Sequence, residues 1–226
     1  MSKKISKKQI KINWNEIDTV LLDMDGTLVD HHYEGYFWST LLPRAYAKKN
    51  GISVNKAFEI TNEEIMKHEG TFNWSSVDFW EKKFGIQLWD IRYQIKHLIK
   101  LHPHTIRFLK FLRKNNKKIY LVTASEPRDV DLKLSHSKIR PYFDGIYNQF
   151  DIKKAKHEKL FWKRLKKIVR YDNEKTLFVD DGVDVLKAAK AGGIKFLVLK
   201  AKYNSKRPAR KSNGFLRAHH LDEIIP

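Results

Sequence analysis

Two carboxylates two residues apart, Asp23 and Asp25, stand behind the apolar run Val20, Leu21, Leu22 and ahead of Gly26 and Thr27. The run is too short for a buried helix and is closed by glycine, which predicts a buried strand entering a tight turn. In α/β proteins ligands bind at the C-terminal ends of parallel strands. Acids paired there are costly unless a cation or a substrate uses them. A carboxylate at a strand tip can attack phosphorus and form an aspartyl-phosphate. A second one, two residues on, can face the same pocket, protonate a leaving oxygen and later deprotonate water. Gly26 lets the backbone turn with no Cβ in the way. An acidic turn after an edge strand explains Asp-Gly, but not the whole D-x-D-G-T string behind an apolar run. An EF-hand loop requires Gly at its sixth position, and the sixth residue from Asp23 is Leu28.

The elements that must position these acids follow from the patterning. Residues 1–13 form a Lys-rich tail, and the first strand spans 19–23. Residues 30–100 show no convincing strand, only helical segments at 34–49 (with a bend at Pro43), 53–68, 75–84 (N-capped by Ser75) and 86–101. From His102 helices and strands alternate: helices at 103–114, 126–137, 156–169 and 184–191, strands at 118–123, 145–147, 176–180 and 195–199, then a basic, turn-rich stretch at 200–218. Such alternation implies a parallel sheet with crossover helices. The expected fold class is α/β: a Rossmann-like core over 14–29 and 101–226, with an α-helical subdomain inserted at 30–100.

Composition narrows the functions. The 226 residues suffice for a medium domain plus an insertion, and 42% apolar content supports a sizeable core. With no cysteine, disulfides, thiolate metal sites and Cys nucleophiles are excluded. The basic N-terminus is followed by no apolar stretch of about 7–15 residues, and no run approaches the ~18 of a membrane span. These features suit a reducing compartment and predict a cytoplasmic protein with no membrane partner. The net charge of +19 raises nucleic-acid binding. The excess is carried by 34 Lys against 11 Arg, however, and phosphate and base recognition favour Arg. Solvated lysine faces account for it, and the field can draw phosphorylated substrates.

The string V-L-L-D-M-D-G-T-L resembles motif I of the haloacid dehalogenase superfamily, most of whose members are Mg²⁺-dependent phosphohydrolases. Three further stations are similar to that pattern. Thr123 closes the second strand as in motif II, and its hydroxyl with the amides of Ala124 and Ser125 can bind phosphate oxygens. Motif III is a single Lys, for which Lys153, Lys154, Lys156 and Lys159 compete; the spacing to Phe161 and Trp162 resembles the family register for Lys156. Motif IV resembles L-F-V-D-D-G, with Asp180 and Asp181 ending an apolar strand and Asp184 a lesser candidate. Two carboxylates ~4 Å apart repel by about 4 kcal/mol at an effective dielectric near 20, so four together call for a cation. The resemblance implies Mg²⁺ held by the Asp23 side chain, the Asp25 backbone carbonyl and Asp181, with Asp180 acting mostly through water. It implies Asp23 as nucleophile, Asp25 as general acid/base, and Thr123, Ala124 and Lys156 as phosphate-binding residues. The superfamily's dehalogenases lack an acid at the position of Asp25, so phosphoryl transfer is favoured; a phosphomutase shares all four motifs.

The helices between motifs I and II occupy the position of the superfamily's C1 cap, which closes over the site and excludes water. Residues 30–93 hold 13 of the 28 aromatics, among them Trp38, Trp74, Trp80 and Trp89. These serve either the core of a small helical unit or stacking on a planar base. The stretch W-N-E-I-D-T-V-L-L-D-M-D-G-T-L, then Y-F-W, A-K-K-N-G, N-W, D-F-W and T-L-F-V-D-D, is similar to the bacterial GMP/IMP 5′-nucleotidases of this superfamily, over about 13–193. The chain departs from that group at Ala124, where Asn is usual, and at Ala155, where Pro is usual. The resemblance implies hydrolysis of purine nucleoside 5′-monophosphates. Tyr36, Trp38 and Arg44, near the start of the inserted segment, are the candidate substrate contacts; His31 and His32 follow the motif closely and read as a solvated loop, with the hinge or the leaving-group pocket as the alternative. The alternatives are a phosphatase or phosphomutase for small sugar phosphates or phosphoglycolate, and a non-catalytic basic nucleic-acid-binding protein on the same fold.

Overall fold

The first strand, β1 (Thr19–Leu22), is the buried centre of the sheet: it pairs in parallel with β2 (Lys118–Thr123) along one edge and β4 (Thr176–Asp180) along the other, and a core cluster covers each face. The computed structural model describes residues 12–211 and 214–226, so the expected basic tail lies outside the described residues except for its last two positions. With β3 (Gly145–Asn148), β5 (Phe196–Lys200) and β6 (Leu216–Ala218) the strands form one six-stranded parallel sheet in the order β3-β2-β1-β4-β5-β6. All strands point the same way, so their C-terminal tips share one edge. Alternation along β1 divides the core. Val20 and Leu22 join a cluster with Leu121, Val179 and Phe108, while Leu21 joins Phe161, Trp162, Phe178 and Leu186 on the opposite face.

Helices α1 (His32–Tyr36), α2 (Leu42–Asn50), α3 (Val54–Met66), α4 (Val77–Phe84) and α5 (Leu88–Gln94) lie between β1 and β2. The single helix expected over 34–49 is divided by a π-helical turn, Phe37–Leu41. Pro43 sits in the first turn of α2, where its missing N–H costs nothing, and the irregularity falls just before it. Ser53 caps α3; α4 is capped by Ser76 rather than the expected Ser75, because Ser75 closes a short 3₁₀ turn. The helix expected over 86–101 ends early. The chain must return beside its point of departure, where Asp30 N–H donates to Lys100 O (2.8 Å), His102 N–H donates to Leu28 O (2.9 Å), and Val29 bridges Leu101.

The remaining helices are α6 (Thr105–Lys114), α7 (Pro127–Ser137), α8 (Gln149–Ile152), α9 (Lys159–Val169) and α10 (Val183–Ala191). The short α8 and the three-residue β6 had no periodic signal long enough to be read from sequence. Among the described residues no helix is long and apolar enough to cross a membrane.

Two core side chains grip the start of α4. Glu126 accepts the Val77 N–H at 2.5 Å and the Ser76 hydroxyl at 3.4 Å, and Gln149 donates to Ser75 Oγ at 2.7 Å. Burial pushes the Glu126 carboxyl up to about 7 from 4.5, against the pull of the Val77 amide. The folded state therefore holds this proton more tightly than the unfolded chain. The stability it contributes is complete below about 4.5 and is lost as pH rises through about 7. Unfolding measured across that window should show a falling limb that Glu126→Gln flattens. On the opposite sheet face, Trp162 is fully buried with its ring 4.5 Å from that of Phe178. Trp162→Ala is expected to cost about 3–5 kcal/mol in denaturant unfolding.

Candidate active site

The sheet register sets the site. Leu22 pairs with Val179, and Asp23 N–H continues the ladder to Val179 O (3.1 Å), which lays Asp23 beside Asp180 at adjacent strand tips. Lys156 reaches both: its Nζ is 2.6 Å from Asp23 Oδ1 and 2.7 Å from Asp180 Oδ2. This lysine is carried by the turn before α9, fixed by Gln149 Oε1 accepting its backbone N–H (3.3 Å) and by the Trp162 indole N–H donating to its carbonyl (2.9 Å). Of the four lysines that compete in the sequence, Lys156 is the one the fold places against Asp23. Burial disfavours its charge, but Asp180 and Asp23 outweigh that and raise its pKa. Burial likewise pushes Asp23 up to about 6, with Lys156 opposing.

Asp181 completes the acidic group. One carboxylate oxygen from each of Asp23, Asp180 and Asp181 lies within 4.8 Å of the others, and all three side chains are buried. Asp181 Oδ2 accepts from Arg210 (2.9 Å), whose guanidinium lies over the Tyr203 ring. Burial, then the charge of Asp23, pushes Asp181 up to about 7. Three buried carboxylates thus face two cations, and among the described residues Asp23 Oδ2 accepts no well-formed hydrogen bond. The donors are all hard oxygens, which suits a divalent cation such as Mg²⁺. Gly26 makes room for them: at φ +88° a Cβ there would lie 2.7 Å from Asp181 Cγ. Asp184 stays apart, exposed and paired with Lys187.

Asp25 lies past the tip, as its position two residues on requires. Its Oδ2 accepts from Ser125 Oγ (2.8 Å), and its Oδ1 is 2.6 Å from Lys133 Nζ. Burial raises its pKa and Lys133 opposes. Thr123 is buried at the tip of β2 and its hydroxyl accepts the Ser125 N–H (3.1 Å). Lys133, on α7, was not anticipated. It also lies 2.7 Å from Glu34 and 2.6 Å from Asp129. The signal was available: Asp129 and Lys133, four residues apart, share a helix face with Val130 and Leu134, an ion pair set into an apolar stripe. Arg92 pairs with Glu34 at 2.6 Å and also with Asp129. Burial works against the charge of Glu34, yet Arg92 and Lys133 hold its carboxyl well below the usual range.

Above these groups opens a cavity of about 450 Å³. Asp25, Ala124 and Ser125 line one part, Trp38, Phe58, Ile65, Met66 and Trp74 give it an apolar wall, and Tyr203, Asn204 and Arg207 enter from the segment after β5. The inserted tryptophans therefore divide: Trp38 and Trp74 face the cavity, whereas Trp80 stacks on Phe84 and Trp89 is buried. Tyr36 and Arg44, named with Trp38 from the sequence, do not line it. The face turned inward carries His31, Glu34, Gly35, Trp38 and Ser39, in helical steps that leave Tyr36 off it; Arg44 is exposed on α2. His31 reaches the cavity and His32 does not.

If Gly26 serves as spacer for the acidic group, Gly26→Ala should destabilise the fold by about 1 kcal/mol or more and displace Asp181. Calorimetric titration with Mg²⁺ should then show at least about tenfold weaker binding, about 1.4 kcal/mol. Unaltered affinity would mean that Asp181 does not need that space.

Comparison with known proteins matches this arrangement to one family. A haloacid dehalogenase-like hydrolase model covers residues 17–193. The GMP/IMP nucleotidase YrfG of Escherichia coli (strain K12) is 31% identical over 187 residues, 83% of this chain and 84% of that protein. A phosphoglycolate phosphatase of Pseudomonas fluorescens (strain Pf0-1) is 26% identical over 212 residues, 92% of this chain and 78% of its own length. Among solved structures, a HAD phosphatase from Thermococcus onnurineus superposes with a TM-score of 0.77 at 22% identity, over 92% of this chain and 95% of that one, a likeness of fold. The span of the family model and the length of the match to the E. coli relative carry the conclusion that this chain belongs to the haloacid dehalogenase-like hydrolases.

Proposed function

We propose that the protein is a Mg²⁺-dependent phosphatase acting through an aspartyl-phosphate, and that its substrates are purine nucleoside 5′-monophosphates, GMP and IMP foremost. The observation that carries the reading is the Lys156–Asp23 pair at the strand tips, two residues along the chain from Asp25, which itself lines a cavity walled by Trp38 and Trp74. Asp23 attacks phosphorus, and the bond to the ester oxygen breaks. Asp25 gives its proton to the departing alkoxide, then takes one from water as that water attacks the aspartyl-phosphate, releasing phosphate and restoring Asp23. Lys156, the Thr123 hydroxyl and the Ala124 amide bind the phosphoryl oxygens. Asp23, Asp181 and the Asp25 carbonyl would hold Mg²⁺, with Asp180 assisting, and the ion supplies charge neutralisation on the phosphoryl group. Helices α1–α5 act as the cap that keeps water out.

The likeness to YrfG and the apolar wall together support a nucleoside over a smaller leaving group. The Pseudomonas relative supports the rival reading, a phosphatase of phosphoglycolate, with sugar phosphates as a related class. A cavity of about 450 Å³ is roomy for so small a substrate. The nucleic-acid-binding alternative is weakened by four carboxylates kept together, an arrangement that binding to a polyanion does not need.

The deciding experiment is phosphate release from a panel of nucleoside monophosphates, sugar phosphates and phosphoglycolate, with and without chelator. Release from GMP and IMP, lost with chelator, is expected, and Asp23→Asn should reduce it by more than about a thousandfold in a folded protein. Activity confined to phosphoglycolate or sugar phosphates would discard the nucleotide. Substantial turnover by the Asp23→Asn protein would discard the mechanism.

A further inference from the structure

Five charged side chains meet in the interior where the inserted helices rest on α7. Glu34 (α1) and Arg92 (α5) come from the inserted segment, Asp129 and Lys133 from α7, and Asp25 from the turn after β1. Lys133 Nζ lies within 2.7 Å of a carboxylate oxygen on each of Asp25, Glu34 and Asp129. Arg92 donates to both oxygens of Glu34, at 2.6 and 3.3 Å, and to Asp129, with its guanidinium over the rings of Tyr33 and Phe37. The side chains of Lys133 and Arg92 have no solvent exposure. Glu34 further accepts the indole N–H of Trp38 (2.9 Å) at the cavity wall.

Ion pairs this deep add little stability over apolar packing of the same volume; their best-attested use is to fix register. Here the register concerns two bodies of chain. An ammonium has three N–H bonds. Lys133 faces three carboxylates, one from the inserted helices, one from its own helix, and one that is the acid of the proposed reaction. Seating α1 and α5 brings Glu34 and Arg92 into this set; without them Lys133 would have only Asp25 and Asp129 to pair with.

We propose that Glu34 is a positioning residue: by sharing Lys133 with Asp25 it makes the placement of the acid depend on the inserted helices being seated. The proposal rests on the phosphatase reading above. Asp25 must aim a proton at the departing oxygen, and a displaced donor forfeits much of the benefit of general acid catalysis.

Glu34→Gln keeps the shape and removes the charge. Two esters of similar size separate a lost proton donor from general damage. p-Nitrophenyl phosphate releases a stable phenolate that needs no proton, whereas benzyl phosphate releases an alkoxide that does. The ratio of kcat/KM for p-nitrophenyl phosphate to that for benzyl phosphate should rise about tenfold or more in Glu34→Gln, and Glu34→Asp should restore part of it. An equal fall on both esters overturns the proposal. Hydrogen exchange supplies a readout without turnover: Glu34→Gln should speed exchange in 88–94 and in the turn at 24–29 together. Faster exchange in 88–94 alone would show that Glu34 only holds the helices, and would also overturn it. A wild-type protein that cleaves neither ester would count against the phosphatase reading, with the exchange result still deciding the linkage.

Discussion

The architecture turns on the repulsion among carboxylates drawn to one sheet edge. Parallel pairing of β1 and β4 sets Asp23, Asp180 and Asp181 side by side out of water, where like charges repel by several kcal/mol even at a generous effective dielectric. The fold answers by bringing counter-charges in from separate elements. Lys156 arrives buried from the turn before α9 and Arg210, partly exposed, from the segment after β5, while Lys133 from the middle of α7 does the same for Asp25. Much of the surrounding packing secures these cations: Trp162 ties down the Lys156 backbone, Gln149 fixes it from the other side, and Tyr203 supports Arg210. Three carboxylates against two cations leave negative charge uncompensated, and a further cation has most to gain there.

Much of this could be read from the chain alone because it is local. An apolar run closed by D-x-D-G is a strand, a turn and two acids in one short string, and parallel α/β folds bring strand tips together without further information. The resemblance to the family then singled out Thr123 and the Asp180–Asp181 pair, and chose Lys156 among its neighbours by its spacing to Phe161 and Trp162, which the fold buries in one core cluster. What could not be read was tertiary. Which helix face turns inward is set by packing against the rest of the fold, so Trp38 lines the cavity while Tyr36 and Arg44 do not. Arg92 looks like a solvated charge until the fold buries it beside Glu34 and Asp129. The three residues of β6 carry too little pattern to be seen.

The cavity shows how one aromatic-rich insertion serves two ends. Trp80 and Trp89 build the interior of the inserted helices, with Trp80 lying parallel to Phe84 and Trp89 hydrogen-bonded to Asp78. Trp38 and Trp74 belong to the same insertion but present their rings to the space above Asp25. Sequence spacing does not distinguish the pairs; the direction of each helix relative to the sheet edge does.

The match to the family model stops at residue 193, yet Tyr203, Asn204 and Arg207 line the cavity from beyond it. They sit on a loop pinned between Ala201 and Arg210 and tethered to Asp30 and His31 at the mouth of the insertion. The groups proposed to break bonds and this part of the enclosure are therefore encoded on different stretches of chain. A lineage can rewrite the loop without disturbing a strand, so substrate range is free to diverge faster than chemistry.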